Sequence, residues 1–176
     1  GFMDLLQQLQ NRRSVRTYTA APVPEAHLQA ILQAGLLSAS GRARRPWEFI
    51  LVTEKDMLQE LTRCREGAAN MLAGASAAVV VVADPDLTDV WTEDCSIAMA
   101  NMHLMADSLG VGSCWIQWRL RKAADGSSTE DFLRGLLHFP EHFRLEAILS
   151  LGMPETHPEP HTLDSLPYEK IHRETW

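Results

Sequence analysis

Three arginines and a serine crowd into one short stretch, NRRSVRTY (residues 11 to 18), of a chain whose formal net charge is −7. A second basic knot, SGRARRPW (residues 40 to 47), carries Arg42, Arg44 and Arg45. Together the knots hold six of the sixteen basic residues, and only three of the sixteen are lysine. Arginine presents a planar fork of donors suited to phosphate, carboxylate and ring carbonyls, whereas lysine presents a point charge. An extended backbone over residues 12 to 16 would turn Arg12, Ser14 and Arg16 to one side and Arg13 to the other. Two guanidiniums and a hydroxyl on one side make a phosphate clamp. Three charge-assisted hydrogen bonds at about 1.5–3 kcal/mol each give roughly 4–9 kcal/mol, against about 8 kcal/mol for micromolar binding. The clamp can therefore anchor a phosphorylated ligand only if the rest of that ligand contributes too. The plain alternative is a solvated basic turn or an intramolecular ion-pair patch.

Other residue groups speak less for chemistry. Glu93 and Asp94 form a carboxylate pair, but a place in the first turn of a helix accounts for them without acid–base work. His103 lies among apolar residues at helical spacing, as a hydrogen-bonded core or interface histidine would. Met99, Met102 and Met105 read as packing. Cys64, Cys95 and Cys114 are odd in number and widely spaced, with no metal-ligand spacing, so they read as reduced core residues and no metal site is expected. No local signature marks a serine or cysteine nucleophile. GVGSCW (residues 110 to 115) runs from helix to strand, the wrong context for a dinucleotide fingerprint.

The elements that must position the knots follow from hydrophobic spacing. The 176 residues suit one domain spanning residues 1 to 176, and 45% hydrophobic content supplies a full core. Gly1 and Phe2 precede a natural start at Met3. Leu5, Leu6 and Leu9 place a short helix over residues 3 to 11. VPEAHLQAILQAGLLSAS predicts an amphipathic helix over 23 to 40, with Pro24 near its start. Strands are expected over 47 to 53, 77 to 84, 113 to 118 and 143 to 152, and helices over 54 to 66 and 128 to 139, the last capped by Ser128 or Thr129. The unalternating, β-branched AAVVVVAD reads as a strand buried on both faces. The helix over 91 to 110 takes Thr92 as its N-cap and Gly110 as its stop, and carries no charge between Cys95 and Ala106. A helix so apolar is buried on most sides, in a core or at a subunit interface. The expected fold is α+β, one sheet between two helical layers.

A sequence pI near 5.4 argues against nucleic-acid binding, and the longest apolar run, residues 73 to 83, is too short to span a membrane. With no secretory pattern, the expected compartment is the cytoplasm.

The order of motifs along nearly the whole chain resembles the FMN-dependent nitroreductase family. RRSVRTY follows a short helix. SASGRARRPWEFILVT is similar to that family's loop and first strand. WTEDCSIAMANMHLMADSLGVGSCWIQW resembles its long interface helix and the strand after it. LGMPE (residues 151 to 155) and the YEKIHRETW ending complete the pattern. The resemblance implies a three-layer α/β/α sandwich around a mostly antiparallel sheet, in an intertwined homodimer with flavins at the interface. It implies FMN contacts from Arg12, Arg13, Ser14 and Arg16, a flavin-lining Ser40, and main-chain approach to the reactive ring edge at Gln117 and Trp118. It further implies that a tail over residues 153 to 176 docks on the partner through Tyr168, Ile171 and Trp176.

The implied activity is reduction of a nitroaromatic, quinone or similar small-molecule acceptor with NADH or NADPH, by ping-pong hydride transfer through the flavin. No side chain is assigned as catalytic, because the flavin carries the chemistry. The alternative is a non-enzymatic flavin or nucleotide binder, a carrier or sensor. Two departures from the family pattern keep that alternative open: its Asn aligns with Ala43 and its Gln with Arg45. Arg45 can serve a ring carbonyl, but neither residue accepts from the flavin N–H by its side chain. Gln117 or a main-chain carbonyl is then the expected acceptor. The family's basic residues near the C-terminus are also missing, leaving Lys170 or Arg173 as substitutes.

Overall fold

In the computed structural model, which describes residues 4–176, β2 (Ala77–Ala83) is buried at every position. Burying a valine removes about 1.5–3 kcal/mol worth of apolar surface from water, and Val79 to Val82 do so in succession on both faces. β2 pairs antiparallel with β1 (Trp47–Val52) on one side and with β4 (Arg144–Gly152) on the other. β3 (Gly112–Gln117) closes the far edge, antiparallel to β4, giving the order β1-β2-β4-β3. The sheet is antiparallel throughout, between helices on both faces, as the fold-class reading expects. Residues 1 to 3, including the proposed start at Met3, lie outside the described residues.

Alternation along the strands builds two cores. Val79, Val81 and Leu149 pack with Ile31 of α2 (Glu25–Leu36) and with Met99 and Met102 of α4 (Trp91–Ser108). Val80 and Ile148 pack on the other face with Leu58 of α3 (Lys55–Leu61) and Leu133 of α5 (Thr129–Leu137). α1 (Leu5–Asn11) stands outside both, with Leu5, Leu6 and Leu9 more than half exposed. Its start is fixed by a capping box between Asp4 and Gln7.

Several boundaries differ from the sequence expectations. α2 ends at Leu36 rather than 40; Ser38 donates its hydroxyl back to the Ala34 carbonyl at 2.9 Å. α4 begins at Trp91 as expected, but its N-cap is Val90, two residues before Thr92, and no side-chain cap forms there. α3 stops at Leu61 instead of running to 66, and a tight turn follows over Thr62–Cys64. The turn is held from outside: Cys64 is fully buried, and its carbonyl accepts the Thr129 hydroxyl at 2.7 Å. Arg65 therefore leaves the helix in an extended conformation (φ −136, ψ 126). Ser128 is the N-cap of α5, accepting from the Asp131 N–H at 3.0 Å. Gly110 ends the α4 segment with φ +76, a conformation cheap only for glycine.

β4 carries one irregularity. Val81 faces Ala147 and Val82 faces Leu145, so Glu146 is an extra residue that sends a carboxyl toward the α4 side, where Ser96 donates to it at 3.3 Å. Beyond β4 the tail holds to the body through His157, Glu159 and His161, and every residue from 162 to 176 is exposed.

Candidate functional site

The first knot runs beside the β3 edge. The Val15 N–H donates to the Ser113 carbonyl at 2.9 Å, and Thr19 donates to Met153 at 2.8 Å. Two glycines make room for this approach. A Cβ at Gly112 would sit 2.9 Å from Val15 Cγ1, and one at Gly152 would overlap the Tyr18 ring. The Tyr18 hydroxyl, buried, meets Ser150 Oγ at 2.7 Å and donates to the Val15 carbonyl at 2.7 Å.

Within the knot the four candidate residues divide. Arg12 still caps the C-terminus of α1, and its Nη1 lies 3.0 Å from Nε2 of His103 on α4. Since a guanidinium only donates, that ring nitrogen accepts, and Nδ1–H donates to Ser113 Oγ. Burial first, then the Arg12 charge, brings the His103 pKa down to about 4, so the ring is neutral. Arg13 donates to the Glu159 carbonyl of the tail. Ser14 and Arg16 instead face Cys114 of β3. Burial raises that thiol's pKa, and the Arg16 charge and Ser14 hydroxyl only partly offset it. The clamp expected from strand alternation is thus split: Arg12 is held by α4, and Ser14 and Arg16 remain at the β3 edge.

Arg16 opens onto a concavity of about 530 Å³, shared with Cys114, Trp115, Gln117, Arg65 and Arg121. Three guanidiniums line it and no carboxylate does. A neighbouring hollow of about 440 Å³ has a single cation, Lys55, in its lining. Gln117 is firmly set at the rim: its Oε1 accepts from Trp115 Nε1 at 2.9 Å, and its carbonyl accepts from Arg65 Nη1 at 2.8 Å. Its amide oxygen therefore has one lone pair left for a ligand donor.

Sequence reasoning missed Arg65 and Arg121. Were α3 to continue to 66, Arg65 would fall on the same face as the buried Leu58 and Leu61, so helical spacing gives it no reading as a ligand contact; the early stop takes it out of the helix. Arg121 lies in RLRK (residues 119 to 122), a third basic cluster whose density was the available signal.

The remaining sequence candidates lie elsewhere in the chain. Trp118 packs on Trp91 with ring centroids 6.2 Å apart. Ser40 and Arg45 belong to the loop before β1, at the sheet edge opposite β3. Ser40 Oγ accepts from the Arg45 N–H at 2.9 Å, and Asp94 Oδ1 accepts from the Gly41 N–H at 3.0 Å. Asp94 thus holds this loop rather than its own helix end. Arg42, Ala43 and Arg45 all have φ near +50 (53, 54 and 49), a costly backbone for residues other than glycine. Lys170 is exposed in the tail.

Cys64, Cys95 and Cys114 are free and buried. Asp84, Asp86 and His142 approach one another closely enough for a cation, but Asp84 already accepts from the Asp86 N–H at 3.0 Å and the group is mostly exposed. No helix among the described residues is long and apolar enough to cross a membrane.

Comparison with known proteins returns one family. The sequence model of the Nitroreductase family matches residues 9–66 and 57–153. An Archaeoglobus fulgidus protein named as an NADH dehydrogenase/NAD(P)H nitroreductase is 34% identical over 178 residues, covering 98% of this chain and 99% of the relative. A Vibrio harveyi NADPH-flavin oxidoreductase is 27% identical over 161 residues, covering 84% of this chain and 64% of the relative. Among solved structures, an FMN-dependent nitroreductase from Clostridium difficile R20291 superposes with a TM-score of 0.94 at 37% identity, covering 98% of this chain and 100% of that one.

Proposed function

Because the chain belongs to the nitroreductase family, we propose that it is an FMN-dependent oxidoreductase that uses NADH or NADPH to reduce a small acceptor such as a nitroaromatic or a quinone. The observation that carries this reading is the concavity at the β3 edge, onto which Arg16 opens and which no carboxylate lines. Such a lining is electrostatically incomplete until an anion enters, and a phosphorylated flavin is an anion of suitable size. The donors present fit it. Arg16 and Ser14 offer a phosphate or ring carbonyl five N–H groups and a hydroxyl. Gln117 offers the ring N–H the remaining acceptor capacity of its Oε1.

Bound FMN would supply the two-electron chemistry between nicotinamide and acceptor. The chain's own residues bind and orient. Arg16 supplies positive potential at the concavity, favouring whichever bound state carries more negative charge. Trp115, fixed by its bond to Gln117, walls the site beside the strand. No side-chain acid or base is assigned.

A second copy of the chain completes the site in this reading. The two basic knots occupy opposite edges of one sheet, three strand spacings or roughly 14 Å apart, and in this reading Ser40 and Arg45 reach the flavin that Arg16 of the other copy holds. Exposed apolar residues support the pairing: Ile97 is 40% exposed on α4, and Leu36 and Leu37 are exposed at the end of α2. Tyr168, Ile171 and Trp176 are 55%, 71% and 98% exposed, as side chains awaiting a partner surface would be.

Anaerobic titration tests the activity. The purified protein is expected to be yellow, to bleach with NADH or NADPH, and to regain colour with a nitroaromatic or quinone. Flavin that binds but does not bleach with either nicotinamide would favour the carrier or sensor, and a protein that takes up no FMN would remove both readings.

A further inference from the structure

Arg65 and Arg121 are left over once the first knot is given to the flavin. Arg65 is half-buried, fixed by its bond to the Gln117 carbonyl at 2.8 Å. Arg121 is exposed just beyond β3, and among the described residues its guanidinium donates only to the carbonyl of its neighbour Leu120, at 3.1 Å. Both line the concavity that Arg16 opens. Burial disfavours the Arg65 charge, and the Arg121 guanidinium disfavours it further.

Three of the other eleven arginines find counter-charges. Arg134 pairs with Glu130 and Asp131, Arg144 with Glu130, and Arg63 with Glu60. Among the described residues no carboxylate pairs with Arg65 or Arg121. Two like charges held beside one hollow without a counter-ion cost free energy that a bound anion removes. Arg44, the natural rival on the second knot, donates to the Leu87 carbonyl at 2.9 Å and stands at the opposite sheet edge.

We propose that Arg65 and Arg121 form an oxyanion subsite beside the flavin seat, recognising a phosphate or carboxylate on the second substrate. That group is either the extra ribose phosphate of NADPH or an acid group on the electron acceptor; both present the same planar pair of oxygens to a guanidinium fork. The inference rests on reading the concavity as the flavin seat.

Calorimetry on the purified protein tests it with two matched pairs of probes: 2′-AMP against adenosine, and 4-nitrobenzoate against nitrobenzene. At least one anion is expected to bind about tenfold more tightly than its neutral counterpart, the effect of one charge-assisted hydrogen bond. Arg121→Gln is expected to abolish that preference. Arg65→Lys, which keeps the charge but loses the fork, is expected to weaken it. Preference for 2′-AMP assigns the donor phosphate, and preference for 4-nitrobenzoate assigns the acceptor. The idea is overturned if neither anion is preferred, or if Arg121→Gln weakens neutral and anionic probes equally. Flavin content is read separately from absorbance. A yellow protein without anion preference defeats the subsite alone, whereas a colourless protein that still prefers the anion keeps the subsite and defeats the flavin reading.

Discussion

Arg16 differs from its neighbours in the knot. Arg12 is engaged by His103 and Arg13 by the tail, whereas no hydrogen bond or ion pair holds Arg16 among the described residues. An exposed cation without a protein partner contributes little to folding, so its removal should show in ligand binding. Arg16→Ala is expected to weaken FMN retention by at least about tenfold, the scale of one charge-assisted hydrogen bond, and to leave stability within about 0.5 kcal/mol. Flavin absorbance after exhaustive dialysis and a urea melt of the apoprotein measure the two effects. Full flavin occupancy in the variant would contradict the assignment. The type of residue was legible from NRRSVRTY alone. Which arginine stays free was not, because His103 and Glu159 lie 91 and 146 positions away in the chain.

At the scale of elements, the bulge in β4 carries a measurable consequence. The extra residue places Glu146 at 3% exposure among Ser96, Trp118 and Cys95. Burial raises its pKa from 4.5 to about 7; hydrogen bonds from Ser96 and Trp118 oppose this, and the nearby Glu93 charge adds to it. The folded pKa lies above the unfolded one, so as pH rises the unfolded chain gives up its proton first. Stability from this group is complete below pH 4.5 and is lost as pH climbs to about 7. Glu146→Gln, neutral at every pH, is expected to gain about 1–3 kcal/mol on wild type between pH 5 and pH 8. Urea denaturation of both proteins across that range measures the gain, and parallel stability curves would refute it. The strand was legible from FRLEAILSLG because its residues suit a buried sheet. The bulge was not, because it exists only in the register against β2. The same reason hid Arg65. Nothing in EKDMLQELTRCRE stops a helix at Leu61; the bond from Thr129 and the burial of Cys64 do.

At the scale of the molecule, exposed apolar residues of α1, α4 and the tail are the surface on which the proposed dimer would form. Deleting residues 162–176 removes Tyr168, Ile171 and Trp176, none of which is buried in the single chain. The truncated protein is expected to fold, to sediment with a larger monomer fraction, and to hold less FMN because Ser40 and Arg45 then lose their place across the interface. Unchanged sedimentation and flavin content would show that the tail serves no such contact. By itself the sequence determined the layers and the cationic character of the site. Periods of two and of three to four residues set which face each element buries, and arginine in place of lysine declares the kind of acceptor. Tertiary structure alone decided which cations converge. It put the two knots on opposite edges of the sheet, attached Arg12 to α4, and turned Arg65 and Arg121 toward Arg16. Local spacing reports which way a side chain points along its own element, whereas convergence depends on strand order and on where distant contacts end a helix.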